Sequence, residues 1–310
     1  MNKEARERSL AVYLQDADEQ SAARLNFFKQ LWNIQEEEGQ RIADEAPYTP
    51  PQQGEVVKRY WAGEPIFVDH PVPVAADDFA RVCEAVAAHL RENAGLEGGT
   101  VDALAQVDWE SVAHVADLKL AGTNPPEFIG QCMQTRDTFS LPASLPESVF
   151  AMVLSWALRA FLKAPATAVM AQMDYRVEGE HPHGHPILCP ACGTPASASC
   201  ISESSATKGG ERSLYCSTCG SVWPFERIRC ARCGTQNQGS LHWLHIEGDE
   251  AHRLHTCSEC DGYMRTVFEG ETPTPFTSME VEDIYMVKLD ALALQGDPKG
   301  GTRSDPLSPA

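Results

Sequence analysis

Basic residues are scarce in this chain. Its 310 residues include 25 Lys+Arg against 44 Asp+Glu, a formal net charge of -19. Such a balance offers no footprint for wrapping a phosphate backbone, so nucleic acid is not an expected partner; a small local basic patch is still compatible with it. The N-terminal "MNKEARERSL" lacks the apolar core of a secretory signal. The longest apolar run, Val149 to Leu158, is about half the roughly 20 residues that a membrane span needs. The chain therefore reads as soluble and cytoplasmic, with no membrane span. Also missing are a G-x-x-x-x-G-K-[ST] loop, a G-x-G-x-x-G loop, a nucleophile elbow and any evident carboxylate pair. No catalytic residue or organic cofactor site is expected, and the chain is not read as an enzyme.

Apolar side chains are not lacking. They make up 43% of the chain, enough for a real core. In "SAARLNFFKQLWNIQ", Leu25, Phe28, Leu31 and Trp32 share one helical face. Phe79, Val82, Cys83, Val86 and Leu90 keep the spacing of a half-buried helix. A weaker helix is expected from about Val101 to Leu118. Asn124-Pro125 has the form of an N-cap followed by proline at the first helical position. Ser144 to Glu147 fits a capping box ahead of an apolar, central helix that Pro165 should kink or end. "APYTPPQQGE" and "DHPVPVAADD" read as loops.

Near residue 178 the character changes. "EGEHPHGHP" reads as a linker, and nine of the eleven cysteines follow it. All of these but Cys200 are arranged as four C-x-x-C hooks. "ILCPACGT" from Ile187 aligns with "IRCARCGT" from Ile228 at an offset of 41, and the same offset carries Cys216 and Cys219 onto Cys257 and Cys260. Each unit is C-x2-C-x23-C-x2-C. Four thiolates fill a tetrahedral metal site, and a duplicated unit should close its own site. Site 1 is therefore expected at Cys189, Cys192, Cys216 and Cys219, and site 2 at Cys230, Cys233, Cys257 and Cys260. The alternative joins the two central hooks and makes the repeat a coincidence. Gly193, Gly220 and Gly234 follow three hooks, where a left-handed residue turns backbone amides toward the sulfurs. Asp261 follows the fourth, so that turn is expected to differ. Closed four-cysteine sites leave no open position for hydrolysis at the metal.

The expected fold class is α+β, a helical N-terminal domain followed by tandem rubredoxin-like or zinc-ribbon units. The domains are residues 1–178, helical; 186–270, two four-cysteine ribbons (186–227 and 228–270); and 271–310, a C-terminal helix over Glu280 to Gln295 and a disordered tail. Cys83, Cys132 and Cys200 read as packed thiols. His181, His183 and His185 belong to the linker, and His242, His245, His252 and His255 read as surface or strand residues. Trp223 and Phe225 are expected to pack between the ribbons. Arg227, Arg229 and Arg232 balance thiolate and Glu226 charge or, less simply, contact an anionic partner.

"LCPACG" from Leu188, "RSLYCSTCGSVWPFERIRCARCG" from Arg212 and "RLHTCSECDGYMRTVF" from Arg253 resemble the formate dehydrogenase accessory protein family, FdhE. That resemblance implies a cytoplasmic maturation factor that binds the catalytic subunit of a molybdenum- or tungsten-dependent formate dehydrogenase. It implies iron in two rubredoxin-like sites, with zinc as the alternative, since four thiolates suit either. Two other functions compete with the chaperone reading, a rubredoxin-like electron carrier and a nucleic-acid-binding zinc ribbon.

Overall fold

A computed structural model describes residues 3–173, 175, 184–203, 210–274 and 277–294. Nine helices come first: α1 (Lys3–Asp16), α2 (Glu19–Glu45), α3 (Gln53–Ala62), α4 (Ala76–Asn93), α5 (Gly98–Ala105), α6 (Trp109–Val115), α7 (Leu118–Thr123), α8 (Pro125–Gln134) and α9 (Glu147–Met170). The faces expected from spacing are the buried ones. Phe79, Val82, Cys83, Val86 and Leu90 of α4 are all inside, as are Leu25, Leu31 and Trp32 of α2. Helix α9 is buried nearly all round and packs on α2 and α4. Its length and composition would suffice to cross a membrane, but 67% of its most apolar window lies inside the fold, which makes it the core helix.

Local signals failed where tertiary packing outweighed them. The helix expected over Val101 to Leu118 breaks after Ala105. Asp108 then caps α6 by accepting from the Ser111 amide at 3.1 Å. Asn124 caps α8 as its sequence suggests, with Pro125 at the first turn. The box at Ser144 does not form, and the residue ahead of α9 is Pro146, with no side-chain cap. Pro165 does not end α9, which runs on to Met170. A missing N–H forfeits one helical bond, and burial of both flanking turns outweighs that loss. "APYTPPQQGE" is a loop only as far as Gln52, and α3 begins at Gln53.

The cysteine region forms one six-stranded sheet from β1 (Ala198–Ser202), β2 (Glu211–Tyr215), β3 (Val222–Phe225), β4 (Leu241–His245), β5 (His252–Cys257) and β6 (Gly262–Phe268). The strand order is β3-β2-β1-β6-β5-β4. The 41-residue offset carries Glu211 of β2 onto His252 of β5, and Val222 of β3 onto Tyr263 of β6. The duplicated units thus lie side by side in the same internal order. Their seam is the parallel pair β1–β6, where Ser199 and Thr266 hydroxyls meet at 2.8 Å. Because β3 is an outer strand, Trp223 and Phe225 do not wedge between the ribbons. They join the main core with the helices, and Trp223 donates to the Pro186 carbonyl at 2.8 Å.

The chain returns to the helices through α10 (Met279–Tyr285), a 3-10 turn (Met286–Leu289) and α11 (Asp290–Leu294). These replace the single helix expected from Glu280 to Gln295. Met279, Val281, Met286 and Leu289 are buried, and so are Glu280, Glu282 and Asp283. The tail beyond residue 294, with His181 and His183, lies outside the described residues.

Candidate metal centres

The structure brings the eight hook cysteines into two groups, Cys189, Cys192, Cys216 and Cys219, and Cys230, Cys233, Cys257 and Cys260. Within each group the sulfurs lie within 4.8 Å of one another. In both, one hook precedes the first strand of its unit and the other joins the second strand to the third. The hooks repeat one local design. The amides of Gly193, Gly220 and Gly234 donate to the backbone carbonyls of Cys189, Cys216 and Cys230 at 2.8–3.0 Å. Those glycines have φ of 75°, 77° and 79°. Asp261 takes the same left-handed conformation, at φ 51°, so the fourth turn keeps the geometry at a cost that glycine would not incur.

The sulfur spacing fits a metal ion. Four sulfurs about 2.3 Å from a central ion define a tetrahedron with edges of about 3.8 Å. Cys189–Cys219 and Cys192–Cys216 are 3.5 and 3.6 Å apart, and Cys230–Cys260 and Cys233–Cys257 are both 3.8 Å. Each group can therefore hold one ion through four thiolates. Among the described residues no histidine or carboxylate joins either group. His185 contacts the Tyr60 hydroxyl at 2.6 Å instead, and His242, His245, His252 and His255 lie on β4 and β5.

The surroundings of the two groups differ. At site 1 all four cysteines are at most 1% exposed and belong to the main core. The helical region grips both of its hooks. The amides of Ile66 and Phe67 donate to the carbonyls of Pro190 and Ala191 at 2.8 and 3.0 Å, and Arg159 of α9 donates to the Ser217 carbonyl. Burial pushes the Cys189 and Cys192 thiols well above the usual range. At site 2, Cys233 and Cys260 are exposed while Cys230 and Cys257 are buried. Burial opposes ionisation of Cys230, yet the amides of Cys233 and Arg232, at 3.5 and 3.4 Å, help bring it down to about 7. Glu259, inside the second hook of site 2, accepts from Asn237 and Ser240 ahead of β4, both at 2.9 Å.

Cys83, Cys132 and Cys200 are buried thiols outside both groups, and burial pushes Cys132 up to about 11 and Cys200 up to about 12. Sequence reasoning missed the charged groups that support site 1. Glu280 is 3% exposed and accepts from Arg159, from Lys163 at 2.9 Å and from Arg6 at 3.4 Å. Burial alone would raise its pKa; Arg159 and Lys163 bring it down to about 2. A second cluster holds His252 between Asp249 at 2.6 Å and Glu282 at 3.0 Å, with Tyr13 donating to Glu282 at 2.9 Å. Nothing in "SMEVEDIY" marks its acids as interior, because their partners lie more than a hundred residues away or on another element.

Comparison with known proteins places this geometry. The FdhE central domain profile matches residues 188–227, which hold all of site 1. A "Protein FdhE homolog" of Shewanella baltica is 29% identical over 211 residues, 66% of this chain and 63% of the relative. One of Aquifex aeolicus is 26% identical over 163 residues, 53% of this chain and 56% of the relative. Over these stretches the chain is similar to FdhE proteins. The alignments with these relatives span less than two thirds of their length. The fold agrees with "The crystal structure of the FdhE protein from Pseudomonas aeruginosa", with a TM-score of 0.52, 21% identity, and coverage of 94% of this chain and 90% of that one.

Proposed function

We propose that this chain is a maturation factor, a dedicated chaperone for the catalytic subunit of a molybdenum- or tungsten-dependent formate dehydrogenase, acting in the cytoplasm. Similarity to FdhE proteins, strongest around the first four-cysteine group, carries the reading. In it, residues 1–178 form the helical domain, 186–270 the metal-bearing part and 271–310 a closing segment. Cys189, Cys192, Cys216 and Cys219 ligate one ion, and Cys230, Cys233, Cys257 and Cys260 a second. Iron is the metal of the reading, and zinc satisfies the same donors. Either ion would neutralise part of the thiolate charge and lock two hooks together, so that the sheet presents a fixed surface to the partner. The reading makes no use of a catalytic residue.

Anaerobic pull-down of the tagged chain from a native extract should recover the dehydrogenase subunit. If nothing is recovered, and a strain deleted for the chain keeps normal formate dehydrogenase activity, the proposal fails. One observation favours a second reading, electron exchange at site 2: the exposure of Cys233 and Cys260 brings that centre to solvent. Iron–thiolate centres should colour the purified protein and bleach on reduction. Colourless protein with two equivalents of zinc would remove the electron-transfer reading and leave the chaperone intact.

A further inference from the structure

A cleft of about 480 Å³ opens beside site 2, on the face formed by β4, β5 and β6 and the loop 226–232. Its walls carry five arginines, Arg212, Arg227, Arg229, Arg232 and Arg253, and no aspartate or glutamate. In a chain with 44 acidic residues and 25 basic ones, that local inversion of charge is not a sampling of the surface.

Two of the five arginines are already neutralised. Arg229 pairs with Glu226 at 3.0 Å. Arg253 pairs with Glu271 at 3.0 Å, with its guanidinium 3.8 Å from the Phe268 ring centre and 4.7 Å from that of Trp243. Among the described residues, Arg212, Arg227 and Arg232 form no ion pair with a carboxylate. The repeat makes the difference pointed, because the 41-residue offset carries Arg212 onto Arg253. The copy in unit 2 has its glutamate, and the copy in unit 1 has none. Arg212 is 6% exposed, its two terminal nitrogens go to the Arg229 carbonyl and Ser199 hydroxyl, and its Nε has no partner. A buried guanidinium without a counter-charge is costly unless an anion completes it.

We propose that this cleft binds a small organic phosphate, its phosphate oxygens held by Arg212, Arg227 and Arg232 and its non-polar body lying against Trp243, Tyr263 and Met264. Guanidinium forks match phosphate oxygens in pairs. The volume is that of a small-molecule site rather than of a protein-docking face. The thiolates of site 2 account for part of the positive charge, since four thiolates around a divalent ion leave a net charge of about -2. Three unpaired guanidiniums exceed that. This inference does not depend on the chaperone reading.

Calorimetric titration of the full-length, metal-loaded protein with pyrophosphate and with ADP tests it. Both should bind at one site, ADP more tightly through its ring, and binding should weaken with added salt. The double variant Arg227→Gln/Arg232→Gln changes exposed side chains that bury no core. It should lose about tenfold in affinity or more, as removal of charge-assisted hydrogen bonds does, with metal content unchanged. Arg91→Gln, on the remote helix α4, should bind as the native chain does. Failure of both probes to bind at millimolar concentration would overturn the proposal. So would equal binding by the double variant. Binding of a poly-glutamate peptide but of neither phosphate probe would assign the cleft to an acidic protein segment instead. Loss of site 2 metal from the double variant, without phosphate binding by the native chain, would show that the arginines serve only the thiolates.

Discussion

Site 1 and site 2 have the same spacing, the same hooks and the same place relative to their strands, yet they occupy different environments. Site 1 is sealed, with each cysteine at most 1% exposed, and helices hold it through backbone bonds at Ile66 and Phe67 and through Arg159. Site 2 sits on the far unit, with Cys233 and Cys260 exposed and an arginine-lined cleft at its side. The two copies share one hook geometry, and packing against the helices makes one of them part of the core.

The sharpest way to break this comparison is to remove one ligand from each site. Cys216→Ser should cost site 1 its ion and, because its neighbours belong to the main core, should unfold much of the chain. Metal-dependent folding energies in small zinc modules run to about 10–16 kcal/mol. Cys260→Ser should cost one equivalent of metal and leave the helical region folded. Limited proteolysis with metal analysis distinguishes the two variants, and equal protease resistance would erase the contrast.

The next effect concerns the buried charge network behind site 1. Glu280→Gln leaves Arg159 without its carboxylate, and breaking a buried pair costs about 3–5 kcal/mol. Denaturant unfolding should show the loss at neutral pH. The acid limb has a definite sign. Glu280 is depressed from 4.5 to about 2, so its contribution is complete above about 4.5 and fades as pH falls toward 2. The difference between native chain and variant should narrow over that window. His252 runs the other way. Burial opposes its charge, but Asp249 and Glu282 raise its pKa, so its contribution is lost as pH rises past that raised value.

A smaller and kinetic effect is expected from a chelator. Site 2 should release its ion first, and iodoacetamide should then label Cys233 and Cys260 before any cysteine of site 1. Mass spectrometry of the alkylated peptides reads the order, and simultaneous labelling would contradict the difference in burial. The smallest effect belongs to the fourth turn. Asp261→Gly relieves a left-handed non-glycine residue and should stabilise site 2 by up to about 1 kcal/mol, visible as a slightly slower metal release.

Much of this was legible beforehand, for identifiable reasons. Periodicity marked the buried faces of α2 and α4 because apolar spacing alone determines which side of a helix is buried. The grouping of the eight cysteines followed from the 41-residue repeat, since a duplicated unit brings its own partners with it. Other features were hidden. The Val101–Leu118 pattern concealed a break because Asp108 caps a new helix within it. The single helix expected at the C-terminus became α10, a 3-10 turn and α11, and its acids turned inward because Arg6, Arg159 and Lys163 converge there from α1 and α9.

The sequence by itself determined the unit of chemistry: hooks at fixed spacing, left-handed turns after them and a second copy 41 residues on. These are local, and a short stretch of chain settles them. Only the tertiary structure decided which copy is sealed and which is open, and that unit 1's arginine lacks the glutamate that its counterpart has. Burial and charge pairing depend on what packs alongside, and two copies with the same spacing cannot both lie against the same helices.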